Sequence, residues 1–157
     1  MGLDMYLEMR TYVGAKYEHR NVKGKIELTE GEDDKPIPIK LKRISQITEE
    51  VGYWRKANHI HKWFVENVQG GEDDCQDYHV GAEQLMGLLK ECKKIQANKD
   101  KAEDLLPTTS GFFFGGTDYD EYYFRDIDYT IEMIESLMKE KNKKGFLPGI
   151  VYYTSSW

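Results

Sequence analysis

The segment at residues 3–13 has the sequence Leu-Asp-Met-Tyr-Leu-Glu-Met-Arg-Thr-Tyr-Val, which alternates between two sets of side chains. One set is largely apolar, and the other is charged or aromatic. Successive side chains of a strand point to opposite faces, so this period of two predicts a β-strand with one face in the core. A second short apolar run, Ile-Val-Tyr-Tyr at 150–153, predicts a last strand.

Three helices are predicted between these strands. Thr48 resembles an N-cap, with Glu49 and Glu50 in the first turn, and predicts a helix over about 49–68. A stripe of Leu85, Leu88, Leu89, Cys92 and Ile95 predicts an amphipathic helix over about 82–96. Thr117 is the expected cap of a helix over about 118–141, which has acids in its early turns and lysines in its last.

The order of these elements predicts the fold class. Strands come first, then helices, then a strand, without the strict alternation of a doubly wound sheet. We therefore expect an α+β protein, with a small, mostly antiparallel or mixed sheet packed by about three helices. We expect one globular domain over residues 1–157. Phe112–Phe114, bounded by glycines, predicts a buried strand or a packed loop.

Composition restricts the cellular compartments and the classes of binding partner that can be expected. A chain of 157 residues can bury a core without a disulfide or metal staple, and Cys75 and Cys92 form no Cys-x-x-Cys motif. No signal-peptide pattern and no apolar run of membrane-spanning length is visible, so a cytoplasmic protein is expected. The net charge of −6 disfavours nucleic acid as a partner but leaves open a nucleotide in a local basic pocket.

One segment is especially rich in side chains that can bind a ligand or transfer a proton. It is Gly-Tyr-Trp-Arg-Lys-Ala-Asn-His-Ile-His-Lys-Trp-Phe at 52–64. On the predicted helix, Trp54 and His61 share an apolar face, and Asn58 lies at its margin. His61 has two interpretations. It is either a core histidine held by a backbone carbonyl or by Asn58, or a pocket histidine able to act as an acid or base.

Arg55 and His59, which are close to His61 in the sequence, also have more than one interpretation. Arg55 could contact phosphate or carboxylate in bidentate fashion, or simply pair with a helix acid. His59 is expected to lean toward solvent or a neighbour. His59 and His61 would point about 200° apart on a helix, so they cannot share one ion, and no metal site is predicted.

A second candidate is Gly-Gly-Thr-Asp-Tyr-Asp-Glu at 115–121. A glycine pair before a helix can present amides to an anion, and Asp118, Asp120 and Glu121 could hold a cation. The interpretation we favour is that these acids stabilise the start of the helix.

Several motifs together resemble a family of small uncharacterised proteins of tailed bacteriophages. They are Met-Gly-Leu-Asp-Met-Tyr at 1–6, Gly-Tyr-Trp-Arg-Lys-Ala-Asn-x-Ile-His-x-Trp-Phe at 52–64, Leu-Pro-Thr-x-Ser-Gly-Phe-Phe-Phe-Gly at 106–115, Thr-Asp-Tyr-Asp-Glu at 117–121 and the closing Ser-Ser-Trp. Gly81 stands where that family has Ser. The resemblance carries no assigned activity. It implies an accessory protein in an infected bacterium, of the kind that sequesters nucleotide signals of host immunity or disables a host enzyme.

Three functions follow as hypotheses. The first is a binding protein for a nucleotide-type anion, without a cofactor, whose pocket is formed by Trp54, Arg55, Asn58, His61 and Tyr119. The alternative is an acidic inhibitor that binds a host protein through charge and exposed tyrosines. The third is a small acid–base or metal-assisted hydrolase that pairs His61 with Asp118 or Asp120. The oligomeric state is left open.

Overall fold

The computed structural model describes residues 2–14, 17–21 and 23–157; the remaining four positions lie outside the described residues. The strands are β1 (Asp4–Tyr12), β2 (Thr29–Glu30), β3 (Lys35–Pro36), β4 (Gln46–Arg55), β5 (Tyr78–His79) and β6 (Ile150–Ser156). The helices are α1 (Asn58–Asn67), α2 (Ala82–Ala97), α3 (Ala102–Leu105) and α4 (Glu121–Lys139).

Strand β1 is the centre of the main sheet. The strand order is β4-β1-β6-β5, all antiparallel, and β2 and β3 form a separate two-stranded hairpin. Leu7 lies opposite both Gly52 and Tyr153. The apolar side of β1 is buried beneath the helices, with Leu3, Met5, Leu7 and Met9 almost fully covered. The α+β prediction and the strand predicted from its alternation are both confirmed.

Helices α2 and α4 pack against each other over the sheet. The predicted stripe of α2 is buried, and that helix is confirmed within one residue. Helix α4 begins at Glu121 rather than at about 118, because Asp120 is the N-cap. Its carboxylate accepts the backbone N–H groups of Tyr122 and Tyr123, at 3.0 and 3.1 Å.

The predicted helix over 49–68 is wrong in its first half. Residues Gln46–Arg55 form β4, which pairs with β1 along its whole length, and the helix starts only at Asn58. The Thr48-Glu49-Glu50 sequence imitates a helix start, but a long central strand needs a partner, and tertiary pairing overrides local propensity. Gly52 fits this strand tightly, because a Cβ there would lie 3.1 Å from the Met133 methyl group.

The turn between β4 and α1 is unusual and sets the position of the helix. Lys56 has a positive φ of 59°, and Ala57, with φ −79° and ψ 68°, has the geometry of an inverse γ-turn. The Asn58 N–H donates to the Lys56 carbonyl oxygen at 2.9 Å, and the Lys56 N–H donates to the Leu3 carbonyl oxygen at 2.8 Å. The turn therefore presents Arg55 and Lys56 at one end of the sheet, directly before α1.

No helix in the described part of the chain is long and apolar enough to cross a membrane.

Candidate functional site

A cleft of about 270 Å³ opens beside this turn. Its walls are the β4–α1 turn, parts of the loop over 108–118 and the first turns of α4. Three cationic side chains line it, and so do three carboxylates: Arg55, Lys56 and Arg125, with Asp118, Asp120 and Asp126. This mixed charge suits a ligand that carries both an anionic group and hydrogen-bond donors.

Asn58 holds the loop wall of the cleft in place. Its amide nitrogen donates to the carbonyl oxygens of Phe114 and Gly116, at 3.0 and 2.8 Å. Its side-chain oxygen accepts the N–H of Thr109 at 2.9 Å. The side chain is buried and uses three of its four hydrogen-bonding positions on backbone groups. Asn58 therefore lines the cleft mainly as the residue that shapes it.

His59 is the second buried polar residue of the cleft, after Asn58. It is 3 % exposed, and its ring lies on that of Tyr123 with 4.1 Å between the centroids. Its Nε2 has no hydrogen-bond partner among the described residues. Burial lowers the pKa of His59 to about 3, so the imidazole is neutral at physiological pH. Of the two expected surroundings of His59, solvent or a neighbour, the structure shows the neighbour, because the ring is buried against Tyr123 of α4.

The start of α4 supplies the aromatic wall. Tyr122 is 58 % exposed, and the Arg125 guanidinium lies 4.9 Å from its ring centroid. The Tyr123 hydroxyl donates to the Leu106 carbonyl oxygen at 2.9 Å, which fixes that ring against the loop. Because Asp120 already takes two amides of the first turn, the helix N-terminus does not offer them to an anion.

Asp126 lies one turn further along α4. Burial raises the pKa of its carboxyl group to about 6, with opposing effects from Arg125 and Asp120. Within the described residues, no side chain or N–H donates a hydrogen bond to this carboxylate. Asp126 and His59 are thus two polar groups in one cleft whose hydrogen-bonding capacity the chain itself leaves unused.

The structure separates the residues predicted to form one pocket. Arg55 and Asn58 line the cleft. Trp54 is buried in the core, where its indole N–H donates to Thr130 Oγ1 at 2.9 Å. The Tyr119 ring packs beside Tyr123, with centroids 5.0 Å apart, and does not line the cleft.

His61 belongs to a buried hydrogen-bond chain on the far side of α1. Its Nδ1 lies 2.7 Å from the Tyr153 hydroxyl, and its Nε2 lies 2.9 Å from Asp73 Oδ2. Both ring nitrogens are therefore occupied, and neither is left for Asp118 or Asp120. The core interpretation of His61 holds, with partners other than the expected backbone carbonyl or Asn58, and the hydrolase hypothesis built on this residue loses its base.

The described residues contain no group of three histidine, cysteine or acidic side chains able to hold a metal ion. The acids at 118 and 120 line the cleft with cations among them, and Asp120 is committed to capping the helix. The site is a polar cleft lined by side chains of both charges.

Sequence reasoning missed His59, Tyr123, Arg125 and Asp126 as neighbours in one site. The available signal was the spacing along α4, because Tyr122 and Tyr123 lie four and three residues before Asp126 and therefore next to it on the helix surface. Nothing in the sequence alone indicates that this face meets the β4–α1 turn.

Comparison of the chain with protein-family models, with curated proteins and with solved structures finds no match.

Proposed function

We propose that this protein binds a small nucleotide-type anion in the cleft between the β4–α1 turn and the start of α4. The observation that carries the proposal is the convergence of Arg55, Lys56 and Arg125 on one cleft together with the unpartnered, buried His59. A buried polar atom without a partner costs about 1–3 kcal/mol, and His59 Nε2 is the one of four such side-chain atoms in the described part of the chain that lies at this cleft.

The cations provide the contact for a phosphate. Arg55 has a side chain that is 59 % exposed, and its Nε is 4.0 Å from the Asp4 carboxylate, which is too far for a strong bond. Its guanidinium is therefore available to a ligand phosphate, which it can contact through two N–H groups. Lys56, next in the chain, adds a second positive charge to the same wall.

The aromatic wall provides the contact for a base. Tyr122 is well exposed beside Arg125, and a flat ring above or beside this pair would gain stacking and cation–π contacts. A volume of about 270 Å³ lies just below the usual range of ligand pockets, which starts at roughly 300 Å³. This size favours a mononucleotide over a dinucleotide.

The biological role we propose for this binding is sequestration. The resemblance to accessory proteins of tailed bacteriophages implies an infected cell, where removal of a host nucleotide signal would protect the phage. A binding protein needs no bond-making machinery, in keeping with a cleft in which the one histidine is buried and neutral.

A thermal-shift titration with AMP, GMP, CMP and UMP tests the proposal. A ligand at 100 times its dissociation constant stabilises the protein by about 2.7 kcal/mol, which is roughly 5–10 °C for a chain of this size. We expect a shift with at least one nucleotide, and a much smaller one for Arg55→Ala. Arg43→Ala, an exposed arginine outside the cleft, is the matched control and should behave as wild type.

A second candidate function is binding of a basic host protein by the open face of the sheet. Tyr6 and Tyr53 form a contact pair there with 5.4 Å between centroids, and Tyr12 is partly exposed on the same face of β1. Aromatic residues of this kind are enriched in protein interfaces, and the net charge of −6 suits a basic partner.

The two functions respond to different substitutions. A basic protein captured by wild type, lost with Tyr53→Ser and retained with Arg55→Ala would support the sheet face. Capture that is unaffected by Tyr53→Ser would count against it.

A further inference from the structure

The carboxylate of Asp126 shares a helix face with the aromatic wall of the cleft. It is four residues after Tyr122 and three after Tyr123, so all three side chains project toward the same side of α4. Asp126 is partly buried and lines the cleft together with His59 and Arg125. An ionised carboxylate in this position has acceptor oxygens that the described part of the chain does not pair.

The chemistry of a carboxylate restricts which ligand groups can form hydrogen bonds with Asp126. An ionised carboxylate is an acceptor only, so the missing group must be a donor. The three cations of the cleft are balanced by its three carboxylates, so charge does not decide between an amine and a hydroxyl as the donor. The geometry of the carboxylate decides instead. Two neighbouring hydroxyls match the two oxygens of one carboxylate, as acidic residues in nucleotide sites do with ribose.

We propose that Asp126 accepts hydrogen bonds from the 2′- and 3′-hydroxyls of a ribose, so that the cleft selects ribonucleotides over 2′-deoxyribonucleotides. This inference rests on the proposed function and adds the class of sugar to it. The phosphate is held by Arg55 and Lys56, the base lies against Tyr122, and Asp126 recognises the sugar between them. A 2′-deoxyribonucleotide lacks the 2′-hydroxyl and would leave one oxygen of the partly desolvated carboxylate without a donor. The free-energy cost of that unpaired oxygen is the reason to expect weaker binding of the deoxyribonucleotide.

The test is a comparison of each ribonucleoside monophosphate with its 2′-deoxy counterpart by isothermal titration calorimetry at pH 7.5. For wild type we expect the ribonucleotide to bind about tenfold or more tightly. Asp126→Ala removes both acceptor oxygens and should bind the two sugars with equal affinity. Asp126→Asn keeps the shape and one acceptor oxygen, so its preference should be reduced. Asp104→Asn, an exposed aspartate outside the cleft, should retain the wild-type ratio.

The outcomes separate the inference from the function on which it rests. If wild type binds ribo- and deoxyribonucleotides equally, the nucleotide site stands and the role of Asp126 is overturned. If Asp126→Ala keeps the wild-type preference, the role is overturned as well. If no nucleotide of either sugar binds to wild type, the proposed function and this inference both fall.

Discussion

The Nδ1 atom of His61 lies 2.7 Å from the Tyr153 hydroxyl, inside the core. The chain of polar contacts continues from His61 Nε2 to Asp73 at 2.9 Å, and from Asp73 to the indole N–H of Trp157 at 3.1 Å. It links α1, the loop after it and the end of β6. A histidine in the middle of an apolar stripe therefore connects parts of the core, whereas the polar cleft is lined by Asn58 and His59 of the same helix.

Tyr153→Phe tests this connection. The ring stacks on Phe64 at 3.9 Å and would keep that contact, but His61 Nδ1 would be left buried without a partner. We expect a loss of about 1–3 kcal/mol in the free energy of unfolding, measured by urea denaturation. Tyr152→Phe, at a half-buried tyrosine on the open sheet face, should cost less. Equal effects of the two substitutions would mean that the His61 contact adds nothing special.

Asn58→Ala removes the three hydrogen bonds that hold the loop over 109–116. Because the side chain is buried and all three partners are backbone groups, we expect a loss of about 2–4 kcal/mol in the free energy of unfolding. Hydrogen exchange should rise at the amide of Thr109, which would lose its acceptor. Asn67→Ala, whose side chain donates only to its own helix, is the control. Unchanged exchange at Thr109 would contradict the role given to Asn58.

Asp126→Asn should stabilise the protein more at pH 8 than at pH 5. Burial raises the pKa of Asp126 to about 6 in the folded protein, above its ordinary value near 4, so the folded state prefers the protonated form. Its favourable contribution is present at low pH and is lost as pH rises through about 6. Asparagine is neutral throughout and avoids that loss.

The measurement is the melting temperature of Asp126→Asn minus that of wild type at each pH. A control at an exposed acid of the same helix, Glu132→Gln, should give a difference that hardly changes with pH. A flat difference for Asp126→Asn would show that its carboxylate is well solvated.

The contribution of His59 to stability should depend on pH in the opposite direction to that of Asp126. The folded pKa of His59, about 3, is below the ordinary value near 6.5, so the unfolded chain takes up a proton that the folded chain does not. Stability from this group is present above pH 6.5 and is lost as pH falls toward 3. His59→Phe keeps a ring against Tyr123 and cannot titrate. Its melting temperature relative to wild type should therefore rise between pH 7.5 and pH 5.

The exposed His79, changed in the same way to phenylalanine, is the control for His59. If both variants follow the same pH trend, burial of His59 is not the cause. His59→Phe should also weaken nucleotide binding, because it removes a buried cleft nitrogen that has no partner among the described residues.

Local pattern was enough for much of the fold. The alternation at 3–13 and the leucine stripe of α2 each come from a period that one element imposes on its own sequence, and both were predicted correctly. The stretch at 46–55 was not. It lies at the sheet edge with mostly exposed side chains, so its pairing with β1 leaves no apolar alternation to detect.

The site was harder to predict than the fold, because it depends on contacts between distant parts of the chain and not on a local pattern. Arg55 and Asn58 were identified by their chemistry, and both line the cleft. Their neighbours come from α4, more than 60 residues away, and Asn58 holds the intervening loop through hydrogen bonds to its backbone. The strand at 46–55, which was expected to be helical, also moves the start of the helix to Asn58. Long-range contacts of this kind leave no periodic trace in the chain.

The central claim is that Arg55 contacts the anionic group of a nucleotide in this cleft. The most direct measurement is calorimetric titration of AMP, GMP, CMP and UMP into wild type, Arg55→Ala and Arg43→Ala at pH 7.5. We predict binding of at least one nucleotide to wild type and to Arg43→Ala, and about 10–100-fold weaker binding to Arg55→Ala, as expected for loss of a charged hydrogen bond. Unchanged affinity of Arg55→Ala, or no binding to wild type, would contradict the account.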